Sequence, residues 1–276
     1  MTVDRLLPTF PTDSRGNRLE KWAVLPESGR WRLLLWTAVR VVDHIRLVLG
    51  REGYQVGWDR LRDGEPGQWA YALTLDRPLD ASASDFLTVL SEVLVLTPPT
   101  SLASAIALDF YKSVVEGRDA TEWPNTQAGE CVNRMKYWSG DPEAQESALL
   151  ELTQRMSTVI QRHPVYRAAT ILQVPGHDSS QVSWGERLAQ SVASVTTLPV
   201  VAATAQHPQR DPAKTRTEHH DLQNEFSLGA EIAGRTVIII DDTYGQGDTV
   251  RGMAAAAQRA HAQEIHALFA TRNVRK

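Results

Sequence analysis

The run Val237-Ile238-Ile239-Ile240-Asp241-Asp242-Thr243-Tyr244-Gly245-Gln246-Gly247-Asp248-Thr249 limits the folds open to this chain more than any other stretch. Its apolar part has no polar alternate positions, so it reads as a strand buried on both faces, the kind found in parallel sheets covered by helices. In such sheets ligands sit beyond the carboxyl ends of the strands, which is where Asp241, Asp242 and the following turn fall. Gly245 and Gly247 permit positive φ and close backbone approach. The amides opening the next helix, together with the Thr249 hydroxyl, can wrap a phosphate dianion. Adjacent carboxylates are poor neighbours for that phosphate unless they face ribose hydroxyls or a hydrated Mg²⁺. The combination predicts a site for a phosphorylated sugar. The bland alternative is a Rossmann-like strand end whose acids cap the turn; a redox domain of that kind is disfavoured because no GxGxxG opens the first strand–helix unit.

The neighbouring sequence has the same texture. Residues 169–174, 199–203 and 265–270 read as strands, and 183–195 and 249–261 as helices, with the strand of residues 236–240 between them. This alternation predicts an α/β domain over residues 161–276, a parallel sheet flanked by helices. Residues 204–226 are polar, contain two prolines and lack apolar periodicity, so they read as a long loop of a length that implies either a functional role or local disorder. Before this, residues 31–49 place Trp31, Leu34, Leu35, Ala38, Val41, Val42, Ile45 and Val48 near the helical period. Residues 69–75 read as a strand and 84–96 as a helix, residues 98–138 show little pattern, and Asp141-Pro142-Glu143 opens a helix with an Asp cap and Pro at the first position. Residues 1–160 are therefore expected to form a mainly helical N-terminal region, a hood or partner-docking module.

Composition excludes other classes. A hydrophobic fraction of 42%, a charged fraction of 22% and eight tryptophans in 276 residues describe a chain that folds. A net charge of −4 gives no global field toward nucleic acid or anionic lipid, so direct nucleic-acid binding is not expected. The single Cys131 excludes an internal disulfide framework and paired-cysteine zinc sites, and reads as a partly buried thiol in a reducing compartment. With no stretch approaching a membrane span and no secretory start, the expected location is the cytoplasm.

The run from Val237 to Thr249 resembles the motif that binds phosphoribosyl pyrophosphate (PRPP) in type I phosphoribosyltransferases: an apolar strand, two acids, two mostly apolar residues, then Thr-Thr-Gly-x-Thr. Here Gly245-Gln246 replace the paired threonines, while Gly247 and Thr249 remain. Residues 171–178, the helix beginning near Trp184 and Leu198-Pro199-Val200 look like the strand, pyrophosphate loop, helix and second strand of the ComF-like branch. Lys214-Thr215, His219-His220-Asp221-Leu222 and Asn224-Glu225-Phe226 faintly echo its next segment. About 110 residues are covered. The zinc ribbon usual in that branch is missing, and Val182-Ser183-Trp184-Gly185-Glu186 stands where it carries a basic Arg-Gly-Phe-Asn-Gln stretch.

The resemblance implies a Mg²⁺-dependent transferase that moves the ribose phosphate of PRPP to a nitrogen acceptor. In that reading Asp241 and Asp242 hold the ribose hydroxyls and share in binding the substrate's Mg²⁺. Thr243, Tyr244, Gly245, Gln246, Gly247, Asp248 and Thr249 anchor the 5-phosphate. Pro175, Gly176 and His177, with Lys214 and Arg216 and aided by Arg210, receive the pyrophosphate, with a strained peptide in the loop. The alternative is a non-catalytic PRPP- or nucleotide-sensing protein with a protein partner on its N-terminal region, linked by analogy to DNA processing. Homodimerisation is implied by analogy alone. Among single residues, His207, His219, His220 and Asp221 read as surface loop rather than a metal site. Trp31, Trp36, Trp58 and Trp69 read as core or interface anchors. Arg134, Lys136, Tyr137 and Trp138 read as partly packed surface, and residues 109–112 as a stretch that could face the crevice.

Overall fold

The computed structural model of this chain describes residues 10–60, 69–178, 181–207, 209 and 222–274, with the side chains of residues 58–60 left aside. The chain divides into two compact units. The first comprises residues 1–97 with Arg162–Pro164, and the second Pro98–Gln161 with Val165–Lys276.

The first unit is not mainly helical, as the sequence reading expected. It contains β1 (Lys21–Glu27), β2 (Arg30–Trp36), α1 (Val39–Arg51), β3 (Val56–Arg60), β4 (Tyr71–Leu75), α2 (Ala81–Glu92) and the short β5 (Leu94–Val95). β1 to β4 form an antiparallel sheet in the order β1-β2-β4-β3. The two-residue loop Ser28-Gly29 between β1 and β2 takes positive φ at both positions, 47° and 81°, and its twist matches a hairpin. The helix expected over residues 31–49 is therefore a strand and a helix in succession. Leu33, Leu34 and Leu35 of β2 are buried, and three adjacent apolar residues fit a helical period as easily as a strand. The strand at residues 69–75 is present as β4. Asp80 caps α2 by accepting the Ala83 amide at 2.8 Å. In the core of this unit His44 and His163 share a hydrogen bond between their Nε2 atoms at 3.0 Å, beside Phe86. Trp31, Trp36 and Trp69 are half-buried, in keeping with anchoring roles; the Trp58 side chain lies outside the described residues.

The second unit is mixed α/β. Its elements are β6 (Ser104–Phe110), α3 (Gln127–Tyr137), α4 (Pro142–Arg162), a 3₁₀ turn at Tyr166–Ala168, β7 (Thr170–Gln173), α5 (Trp184–Thr196) and β8 (Val200–Ala202). There follow β9 (Thr204–Ala205), β10 (Phe226–Ser227), β11 (Thr236–Tyr244), α6 (Asp248–Arg259) and β12 (Glu264–Arg272). Within this unit the sheet runs β6-β12-β11-β7-β8, parallel throughout. The chain divides at Pro98, where the sequence reading set its boundary at residue 160. β6 supplies the difference: its residues Ser104 to Leu108 are all buried, so it shows neither alternation nor a helical period. α5 packs on β7 and β11, and α3 on β6 and β12. α4 begins at the expected Asp141 cap, whose carboxylate accepts the Ala144 amide at 3.0 Å. No helix among the described residues is long and apolar enough to cross a membrane.

At the amino ends of β6 and β12 lies a buried polar chain. Ser104 Oγ is 2.8 Å from the Tyr166 hydroxyl and 2.7 Å from His266 Nδ1, and His266 Nε2 faces Glu264 Oε2 at 3.6 Å. The residue types are those of an acyl-transfer triad. Yet Ser104 and His266 are buried, and they sit at the opposite edge from where a parallel sheet binds ligands, so the role is packing. Burial pushes the Tyr166 phenol pKa upward. Tyr166→Phe removes one partner from the buried Ser104 hydroxyl while leaving the other. It is expected to cost about 1 kcal/mol, read from a urea melt, with no change in ligand binding.

Candidate functional site

β11 does not stop at Ile240 as the sequence suggested. Its ladder with β7 ends at Ile240↔Gln173, but its ladder with β12 continues through Thr243↔Thr271 and Tyr244↔Arg272. Asp241 to Tyr244 are thus held by a neighbouring strand on one side only. Their other side opens beyond the end of β7, toward residues 174–178 and the first turn of α5. The sheet places the acid pair at the carboxyl end of β11.

Each acid is met by a partner of its own. Lys136, near the end of α3, donates to Asp242 Oδ1 at 2.6 Å. Burial alone would lower the pKa of its ammonium, but the charge and hydrogen bond of Asp242, with Asp241 behind, outweigh this and hold it above the usual lysine value. Asp241 Oδ1 accepts the Asp242 amide at 2.8 Å. It also lies against α5: a Cβ on Gly185 would stand 2.9 Å from that oxygen, so only glycine lets the carboxylate approach the helix N-terminus this closely.

The loop after β7 is likewise engaged. Glu186 closes a capping box with Ser183: its Oε2 accepts the Ser183 amide at 2.7 Å and the Gly176 amide at 3.3 Å, while Ser183 Oγ accepts the Glu186 amide at 3.2 Å. Gly176 is needed here, because a Cβ would stand 2.8 Å from that of Ser183. His177 is exposed. The backbone of residues 175–178 has neither a cis bond nor a positive φ, so the strained peptide expected there is not found. Asp178 bridges Gln209, which brings the root of the long loop beside this turn. The loop's other root is pinned where β9 and β10 pair and where Glu225 accepts from His207 Nδ1 at 2.6 Å. Arg210, Lys214, Arg216, His219, His220 and Asp221 lie outside the described residues.

The turn after β11 is short, because β11 has absorbed Thr243 and Tyr244. Gly247, at φ 86°, caps α6, which opens at Asp248, one residue before the position read from the sequence. Gly245 does not need a positive φ, contrary to expectation. Arg272 braces the turn by donating to the carbonyls of Tyr244, at 3.0 Å, and Gly245, and its guanidinium lies 4.7 Å from the Tyr244 ring centroid. Arg251 donates to the Gln246 carbonyl at 3.1 Å and pairs with the buried Asp248. Gln246 is exposed and Thr249 half-buried at the helix start. Two guanidiniums and the α6 N-terminus therefore surround the segment predicted to hold a phosphate.

Four residues of this site escaped the sequence reading in their roles: Lys136, Glu186, Arg251 and Arg272. Of these, only Glu186 carried a local signal, as the third residue after Ser183. Arg134, grouped with Lys136 in the sequence, instead lies beside Glu151, at 3.7 Å, and the Cys131 sulfur, at 3.5 Å. Burial first, then Glu151, pushes the Cys131 thiol up to about 11, and the side chain is fully buried rather than partly so. Of residues 109–112, Asp109 turns back to its neighbour, accepting the Phe110 amide, and Lys112 donates to the carbonyls of Ala120 and Thr121. Tyr111 stays close enough to the acids that burial, then Tyr137 and other nearby charges including Asp242, raise its pKa.

The Mg²⁺ implied by the resemblance needs oxygen ligands with room around them. Asp242 already holds an ammonium at 2.6 Å, and no group of three metal-ligating side chains occurs among the described residues. The acid pair as folded does not fit a directly bound divalent ion.

No family model matches this chain, and no curated protein does. Among solved structures it is similar to a purine phosphoribosyltransferase from Pyrococcus horikoshii Ot3, with 15% identity, a TM-score of 0.27, and coverage of 47% of this chain and 85% of that one. A likeness of that size carries no argument about function.

Proposed function

We propose that the second unit binds a ribose 5-phosphate group at the carboxyl edge of its sheet and acts as a phosphoribosyltransferase on PRPP with a nitrogen acceptor. The observation that carries this reading is the placement of Asp241 and Asp242 on the overhanging end of β11, directly before a glycine turn that opens α6. The acids face sugar hydroxyls, and the turn, with Arg272 and Arg251 around it, takes the 5-phosphate. In the transfer the bond from C1 to pyrophosphate breaks, a bond from C1 to the acceptor nitrogen forms, and the acceptor loses a proton. Positive charge that develops on the ribose ring is stabilised by the neighbouring carboxylates.

A second reading, a non-catalytic sensor of ribose phosphates or nucleotides with a partner on its N-terminal residues, is favoured by one specific observation. Glu186 occupies the Gly176 amide that a pyrophosphate would use. The two readings part in a calorimetric titration of PRPP followed by a pyrophosphate-release assay across nucleobases and amines. Saturable binding lost in Asp241→Asn/Asp242→Asn, with release for some acceptor, supports the transferase. Binding with no release supports the sensor, and no binding removes both.

Gly245 stands where the family has the first of its paired threonines, and a Cβ there meets nothing within 4 Å. Gly245→Thr is therefore expected to leave the unfolding midpoint unchanged and, by restoring a hydroxyl donor, to tighten ribose 5-phosphate binding about fivefold.

A further inference from the structure

Lys136 combines three properties that a surface lysine lacks. It reaches Asp242 from a helix 106 residues away in sequence. Its side chain is only 28% exposed, although an ammonium on a flexible stem ordinarily stays in water. Its one hydrogen bond among the described residues goes to Asp242, while an ammonium carries three N–H donors. The helix that bears it is fixed at its start, where Thr126 caps α3 by accepting the Gly129 amide and donates its own hydroxyl to the Phe110 carbonyl at the end of β6. The ammonium is thus positioned by the fold, at the acid pair, with donors to spare.

We propose that Lys136 is the resident cation of this site: it stands where a divalent metal would, neutralises Asp242, and offers its remaining N–H donors to an oxygen of the bound ribose phosphate. Its ligand-binding half rests on the function proposed above. Its electrostatic half, that Lys136 keeps divalent ions off the acid pair, does not. Removing the ammonium takes the counter-charge from Asp242, whose carboxylate lies beside that of Asp241, and a carboxylate pair is a donor set that a hard cation seeks.

The experiment uses the full chain as wild type, Lys136→Met, Lys136→Arg, Asp242→Asn and Lys136→Met/Asp242→Asn, each checked for folding by circular dichroism. The double variant covers the case in which an unpaired Asp242 destabilises the single one. Mn²⁺ binding is followed by electron paramagnetic resonance without any sugar phosphate. The expected result is a Mn²⁺ site in Lys136→Met that is absent from wild type, Lys136→Arg and the double variant. A Mn²⁺ site in wild type that Asp242→Asn removes, or none in a folded Lys136→Met, overturns the assignment. Ribose 5-phosphate is then titrated with Mg²⁺ or with EDTA. Wild type is expected to bind equally in both, and Lys136→Met to bind at least about tenfold more weakly in EDTA and to recover with Mg²⁺. Equal affinity of wild type and Lys136→Met in EDTA overturns the ligand contact. Failure of every protein to bind ribose 5-phosphate sinks the proposed function and the contact with it, whereas the Mn²⁺ result decides the electrostatic half in either case.

Discussion

Gly129→Ala should lower the thermal unfolding midpoint by about 6–12 °C, a loss of about 3 kcal/mol, although it adds a good helix former to a helix. By propensity alone, alanine would gain about 1 kcal/mol over glycine in α3. Packing reverses the sign. A Cβ on Gly129 would stand 2.7 Å from the Tyr111 carbonyl carbon and closer still to its oxygen, and that oxygen is tied down by accepting the Thr126 amide at 3.2 Å. The obstacle is backbone, so no rotamer change relieves it; either α3 or the end of β6 must move. Either shift also carries Lys136 away from Asp242. Gly50→Ala in α1 is the control, since no atom lies within 4 Å of the new Cβ, and it should raise the midpoint slightly. A Gly129→Ala protein as stable as wild type would show that α3 does not rest on β6 this closely.

The second large effect is expected at Gly252, in the middle of α6. A Cβ there would meet the Leu222 carbonyl oxygen at 2.5 Å, the Leu222 Cβ at 2.9 Å and the Phe226 ring at 3.0 Å. The same stretch is drawn to α6 by Arg259, which donates to the carbonyls of Gln223, at 2.6 Å, and Phe226, at 2.7 Å. Gly252→Ala is expected to cost about 2 kcal/mol or more. Hydrogen exchange should rise first in residues 222–227, because most of them lie outside helix and strand, whereas α6 is a regular helix. Exchange that rises in α6 instead would assign the yielding partner the other way.

The second unit was more legible in the sequence than the first, for a physical reason. β7, β11 and β12 are buried strands separated by the helices α5 and α6, the first opened by the Ser183 cap, and that alternation has few other solutions. β6 and α3 were illegible: one is buried almost throughout, and the other follows a stretch whose order comes from contacts such as Trp123 to the Val115 carbonyl and Lys112 to two further carbonyls, none of which leaves a period. In the first unit the Ser28-Gly29 turn was readable as a hairpin, but the leucines after it also fitted a helix, and the helical reading obscured the strand.

The candidate site divides in the same way. Asp241, Asp242 and the glycine turn are contiguous, so their chemistry showed in the sequence. The partners that define the state of the acids, Lys136 and the first turn of α5, come from remote segments brought in by the sheet. Sequence reasoning found the acids and the turn at the strand's end; what it could not find was which groups from elsewhere in the chain already meet them.

The overhang of β11 past β7 has a thermodynamic consequence. A ligand that must fix a free loop loses part of its interaction energy to ordering, about 1–2 kcal/mol for each residue's backbone. Asp241 to Tyr244 are already registered on β12, with only the three residues Gly245–Gly247 between that strand and α6. Little of the contact energy at the acid pair goes into arranging the chain that bears it. On the proposed function, differences in affinity among sugar phosphates at this edge report the ligands' own contacts, because the acids are equally well placed for all of them.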